Sequence, residues 1–328
     1  MKSERKKIFY GSVIGFLLFS LIVFSGCTYK IPEDPNTFSR TLFFDGFERT
    51  FRIHIPPELP ENYTPALVFV LHGGGGTGLG MERTLTLGGF NSLADTDNCI
   101  VVYPDGIEKN WNDGRSNVSD PAHEQNINDV GFINALIENL TDEFHINPLR
   151  IYSTGISNGA MMSYRLAFEL PEKIAAIAPV AGAIPVDLLS YNISDVPVSV
   201  CVLSGTLDPL VPWEGGLVGT PRNPRGMVLS VPDSVLFWVN YNTCSLSPNT
   251  TLLPDTDPED HTWVQRDIYS NGTGNSEVVL YTIYNGGHTW PDGYQYLPEI
   301  LVGRTCHDIN ANTVIWDFFT THSKSASH

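Results

Sequence analysis

The stretch Gly155-Ile-Ser-Asn-Gly159 constrains this chain more than any other. It follows a strand-like run, Arg150 to Thr154, and opens a helix-like run, Ala160 to Phe168, that stops before Pro171. G-x-S-x-G between a strand and a helix predicts a sharp bend that lifts a serine hydroxyl clear of a sheet. The two glycines let neighbouring backbone approach where a Cβ would clash. The start of the helix adds free backbone N–H groups and a positive dipole end at the same place. A glycine-rich chain can contain this pattern by chance, so its weight depends on the rest of the sequence.

Ala66 to Leu71 and Cys99 to Tyr103 are continuous apolar runs, as expected of strands buried on both faces. They end in His72-Gly-Gly-Gly-Gly76 and Pro104-Asp-Gly106. Further strands are predicted at Ala175 to Val180, Pro197 to Leu203 and Val278 to Tyr284, the last two ending at Asp208 and at Asn285-Gly-Gly-His288. Arg40 to Phe44 and Arg49 to Ile55 read as a hairpin turned by Asp45-Gly46. Between Asp129 and Phe144 the apolar residues keep helical spacing. Two later helices are predicted, one capped by Asp233 and running through Tyr241, the other from Ala311 to Phe319 with Asn310 as its cap.

Strands alternating with helices predict an α/β fold, a mostly parallel sheet covered on both faces, with its site at the carboxyl ends of the strands. Residues 39–322 read as one catalytic domain after a linker, 28–38, and before a short tail, 323–328. Residues 245–262 are polar and read as a surface excursion.

The first 27 residues differ from the rest: Lys2, Arg5, Lys6 and Lys7 precede an apolar run from Ile8 to Phe24, then Ser25-Gly26-Cys27. This reads as an export signal, either ending in a lipidated Cys27, or retained as an anchor, or cleaved to free the protein. Each version puts the domain outside the cytoplasm or at the cell surface. A net charge of −17 speaks against nucleic acid or an anionic membrane surface as a partner. Cys99 and Cys201 lie in apolar strands and read as buried thiols; Cys244 and Cys306 lie in polar loops, where an exported protein could join them. No metal-site spacing occurs.

A serine hydroxyl needs a base, the base an orienting acid, and the developing oxyanion needs donors. Ser157, Asp208 and His288 follow predicted strands in the chain order serine, acid, histidine. His72 precedes the serine and reads as a residue shaping the glycine loop. Asp105, Asp113 and Asp129 fit the acid role less well. Backbone N–H groups of Gly74 and Asn158 are the expected oxyanion donors, with Gly75 as an alternative to Gly74.

Taken together, Leu71-His-Gly-Gly-Gly-Gly76, Val102-Tyr-Pro-Asp-Gly106, Asn110-Trp-Asn112, Asp129-Val-Gly-Phe132, Thr154-Gly-Ile-Ser-Asn-Gly-Ala-Met-Met162, Gly205-Thr-Leu-Asp208 and Gly286-Gly-His-Thr-Trp-Pro291 resemble the extracellular esterases grouped with polyhydroxybutyrate depolymerases and feruloyl or acetylxylan esterases. The resemblance covers residues 40–320. It implies an α/β-hydrolase fold, no cofactor, and Ser157, Asp208 and His288 as the triad. Ser204 and Asn242-Thr-Cys244 depart from the family pattern without touching the triad. Trp111 and Trp290 are candidate substrate-binding residues, with Trp213 a weaker one. No large apolar insertion follows the strands, so an open cleft without a lid is expected, suited to a polymeric or bulky ester. The expected function is a serine carboxylic-ester hydrolase, working as a monomer on polyhydroxyalkanoate-like or feruloyl or acetyl polysaccharide esters. A serine peptidase or acyltransferase on the same fold, and a non-catalytic surface-binding lipoprotein, are the alternatives.

Overall fold

The computed structural model describes residues 33–60, 62–220 and 223–325. The segment 1–27 expected to direct export, Cys27 included, lies outside the described residues. The body is one ten-stranded sheet, ordered β1-β2-β4-β3-β5-β6-β7-β12-β11-β10. In chain order these are β1 (Thr37–Phe44), β2 (Phe47–His54), β3 (Leu67–Leu71), β4 (Ile100–Pro104), β5 (Ile151–Ile156), β6 (Ala176–Val180) and β7 (Ser199–Gly205). A separate two-stranded hairpin, β8 (Gly216–Thr220) and β9 (Asn223–Val228), follows, then β10 (Asn249–Leu252), β11 (Trp263–Tyr269) and β12 (Val278–Tyr284). The six central strands from β4 to β12 pair in parallel, and antiparallel strands close both edges.

The helices are α1 (Gly89–Asp97), α2 (Asp129–Phe144), α3 (Asn158–Glu169), α4 (Val231–Tyr241) and α5 (Ala311–Thr320). Side chains of α2, α3 and α4 join one buried cluster, and those of α1 and α5 join the other. β3 to β7 are buried along their whole length, which is why β3 and β4 read as unbroken apolar runs rather than alternating ones.

Several details differ from the sequence expectation. β1 begins at Thr37, inside the expected linker, and Lys324 of the expected tail is docked through its N–H to Leu149 O and its Nζ to Pro197 O. The α4 cap is Ser230, not Asp233. Ser230 Oγ accepts from Asp233 N at 3.0 Å and donates to the Asp233 carboxylate, so the acid three residues in braces the cap rather than forming it. Asn310 caps α5 as expected, accepting from Thr313 N. The polar stretch 245–262 is not wholly loop: β10 pairs with β11 and extends the sheet by an edge strand. Cys244 and Cys306 are both buried free thiols. Cys244 contacts Ser276 O just before β12, whereas Cys306 lies beside Asp308, beyond the far end of that strand, so the two are separated by the height of the sheet. Asp45 and Gly46 both take positive φ, 49° and 83°, the hairpin turn their sequence predicts.

One buried ion pair ties the edge of the sheet to the helix layer. Arg49 Nη2 donates to Asp129 Oδ1 at 2.6 Å, and its guanidinium lies 4.0 Å from the centre of the Phe132 ring. Asp129 Oδ2 accepts from Asn112 N. Burial pushes the Asp129 carboxyl up, even against the Arg49 charge. Removing one partner of such a pair strands the other charge without water. Asp129→Ala is therefore expected to lower unfolding free energy by about 3–5 kcal/mol, read as a drop in the urea midpoint. A loss under about 1 kcal/mol, the size typical of surface pairs, would contradict this.

Candidate active site

Ser157 stands between β5 and α3 with φ 58° and ψ −120°. Such a backbone is strained for a residue with a Cβ and is held here by its surroundings. Ser157 N–H donates to Val180 O at the end of β6. A Cβ on Gly155 would lie 2.6 Å from Leu71 O, and one on Gly159 would collide with the same carbonyl. The glycines are thus needed because β3 passes directly beside the bend.

Asp208 and His288 follow β7 and β12, neighbours in the sheet. His288 Nδ1 lies 2.7 Å from Asp208 Oδ2, and both side chains are buried. The other Asp208 oxygen accepts from Leu210 N and Val211 N, each at 2.8 Å. A carboxylate can only accept, so Nδ1 carries the proton and Nε2 is left with its lone pair. Among the described residues, the Ser157 hydroxyl makes no hydrogen bond.

The three rival acids are used elsewhere. Asp105 accepts from Gly78 N and Thr50 Oγ1, Asp129 from Arg49 and Asn112, and Asp113 lies below the bend. His72 shapes the glycine loop: its Nε2 accepts from Gly106 N, so Nδ1 donates to Gly73 O at 2.8 Å. Burial lowers its pKa, which suits this neutral form. Within the loop, Gly75 N–H is taken by Lys109 O at 2.8 Å, while Gly74 N–H has no acceptor among the described residues. Asn158, as the first residue of α3, has a backbone N–H without an intrahelical acceptor.

Trp111 and Trp290 do not line a cleft. Both are fully buried. Trp111 Nε1 donates to His72 O, and Trp290 Nε1 to Asn312 Oδ1. Each indole has an apolar body in the core and its one polar atom satisfied there, so the pair braces the site loops from beneath. Trp213 is half-buried against the core.

A family model described as phospholipase/carboxylesterase matches residues 58–218. NocK of Nocardia uniformis subsp. tsuyamanensis, named as a putative esterase, is 30% identical over 295 residues, spanning 87% of this chain and 83% of that one. The chain belongs to the esterase family of the α/β-hydrolases. It is a carboxylic-ester hydrolase by that membership. Feruloyl esterase B of Piromyces equi is 28% identical over 203 residues, 60% of this esterase but only 35% of the relative. The structure of an acetyl xylan esterase from Aspergillus awamori shares the fold, with a TM-score of 0.57 at 15% identity over 87% of this esterase and 98% of that chain.

Sequence reasoning missed the network that holds the bend of this esterase from below. Asn158 Oδ1 accepts from Trp111 N, while its Nδ2 donates to Trp111 O and to Asp113 Oδ2 at 2.6 Å. Asp113 is fully buried and also accepts from Arg115 and pairs with His123. Burial alone would push its carboxyl up; the Arg115 charge and the hydrogen bonds from His123 and Arg115 outweigh that and hold it well below the ordinary range. His123 bridges Asp113 and Asp120. Burial works against its charge, but hydrogen bonds to Asp113 and Asp120 push its pKa up to about 9. The only hint in the sequence was the closeness of Asp113, Arg115 and His123.

That network has a pH consequence. The folded pKa of His123 lies above its ordinary value, so its contribution to stability is fully present below about pH 6.5 and is lost as pH rises through about 9. Melting temperature should therefore fall across this window, and His123→Gln should flatten that part of the profile. An unchanged profile in the variant would contradict the assignment.

The described residues include one group with the reach to hold a metal ion, Asp260, Cys306 and Asp308. Its carboxylates already accept from backbone N–H groups of Thr262, His307, Thr256 and Asp257. None of the three belongs to the candidate active site.

Proposed function

We propose that this esterase works through an acyl-enzyme, with Ser157 as nucleophile, His288 as base and Asp208 as the acid that orients it. The observation that carries the reading is the 2.7 Å contact of His288 Nδ1 with an Asp208 carboxylate already fixed by two backbone N–H groups. It leaves Nε2 as the basic atom, as the role requires. His288 Nε2 takes the Ser157 proton as Oγ attacks the ester carbonyl. Asp208 stabilises the imidazolium that forms. Gly74 and Asn158 N–H groups, neither with an acceptor among the described residues, receive the oxyanion. The tetrahedral intermediate collapses, the alcohol leaves with the proton from Nε2, and water then releases the acid by the same steps in reverse order.

The substrates we propose are feruloyl or acetyl esters of polysaccharides, or polyhydroxyalkanoate-like esters, and the location is outside the cytoplasm or at the cell surface. Support comes from the motif resemblance and from feruloyl esterase B among the relatives. A panel of p-nitrophenyl butyrate, methyl ferulate, acetylated xylan, polyhydroxybutyrate and peptide anilides tests this. Turnover of esters with no measurable peptide cleavage is expected. Peptide cleavage exceeding ester cleavage would overturn it.

A further inference from the structure

Arg225 lies on β9 of the hairpin that follows the Asp208 loop. Its side chain is exposed, and among the described residues it makes no ion pair and no side-chain hydrogen bond. Its Nη1 stands 3.6 Å from the point where a Cβ on Gly74 would be. From that same point Asn110 Oδ1 is 3.2 Å away and Asn158 Cβ 3.8 Å. The missing side chain of Gly74 thus leaves an opening flanked by one cation and by the two residues proposed to receive the oxyanion.

The backbone under this arginine is fixed rather than trailing in solvent. Arg115 Nη1 donates to Arg225 O, and residue 225 forms a bridge with Val118. A Cβ on Gly226, where φ is 77°, would lie 2.8 Å from both the Arg115 side chain and Ser116 O, so the hairpin is pressed against the Asp113–Arg115 pair. The charges below Ser157 therefore also set the position of Arg225. In a chain with a net charge of −17, acids are plentiful. An arginine that pairs with none of them among the described residues, and whose Nη1 lies by Gly74 and Asn158, is available to a ligand. Guanidinium matches a carboxylate with two parallel hydrogen bonds.

We infer that, within the polyhydroxyalkanoate-like esters proposed above, those bearing a free carboxylate near the reacting carbonyl are preferred, and that Arg225 is the residue that binds this carboxylate. The inference rests on the esterase reading given above. It favours monoesters of dicarboxylic acids, or short hydroxyacid oligomers with a free acid end, over neutral acyl groups of the same size.

The test compares kcat/KM for p-nitrophenyl hemiglutarate with that for p-nitrophenyl valerate, which matches it in chain length without the charge. The wild type should favour the hemiglutarate, and added salt should erode that preference. Arg225→Gln should lower the charged-to-neutral ratio by about 10- to 100-fold, the range of a charge-assisted hydrogen bond. Arg225→Lys should restore part of it and Arg225→Glu should lower it further. Circular dichroism and a melting curve check that each variant folds. A ratio unchanged in Arg225→Gln, with both esters still turned over, would overturn the role of Arg225 and leave the esterase reading intact. Failure of the folded wild type to cleave either ester would overturn both.

Discussion

Ser157→Ala is expected to lower kcat by about 10⁶-fold, the loss measured when the nucleophile of a comparable serine, histidine and aspartate set is removed. The fold should not register the change. The hydroxyl makes no hydrogen bond among the described residues, so its loss strands no partner. Alanine keeps the Cβ, so the backbone at φ 58° is no more strained than before. Melting temperature should stay within about one degree, a shift of under ~1 kcal/mol for a domain of this size. The variant therefore separates chemistry from stability. Residual turnover is expected from the oxyanion donors alone. A variant within about tenfold of wild type, less than one general-base contribution, would exclude Ser157 as nucleophile.

Asp208→Asn is the second large effect. Leu210 N and Val211 N hold one carboxylate oxygen, and an asparagine Oδ1 can keep both bonds. The amide nitrogen then replaces the oxygen that faces His288 Nδ1 at 2.7 Å. An NH₂ group donates, so Nδ1 must turn acceptor and the ring proton moves to Nε2. The histidine is then in place but in the wrong tautomer to take a proton from Ser157. A fall in kcat of about 10⁴-fold with little change in KM is expected, as in the worked serine-protease case. Because the protein scaffold around residue 208 is retained, Asp208→Ala should be less stable than Asp208→Asn while being similarly inactive. Near-normal kcat in Asp208→Asn would mean that another group orients the imidazole.

The parts legible in the sequence were those set by local chemistry. The bend at Gly155–Gly159 was visible because strand, serine, flanking glycines and helix are contiguous. The turn at Asp45-Gly46 and the Asn310 cap likewise depend on neighbours within three residues. β3 and β4 could be read because burial on both faces makes them apolar throughout. What was missed depends on distant partners. Trp111 and Trp290 flank the site in sequence, but their side chains turn inward because His72 O and Asn312 Oδ1 accept their N–H groups there. Nothing adjacent in the chain says so. β10, with three polar residues in its four, forms a strand only because β11 offers an edge. Asp113 looked like a weak rival to Asp208. Its actual place, under Asn158, follows from the approach of residues 45 apart in sequence. Cys244 and Cys306 looked alike as loop cysteines, yet the height of the sheet separates them.

The most direct measurement of the central claim is covalent trapping with a fluorophosphonate, followed by peptide mapping. Attack on phosphorus requires a serine oxygen made nucleophilic by a neighbouring base, and the adduct survives digestion. The account predicts one adduct per chain, on the peptide carrying Ser157, formed rapidly in the wild type and far more slowly in folded His288→Ala. An adduct on a different serine, or equal labelling rates with and without His288, would contradict it.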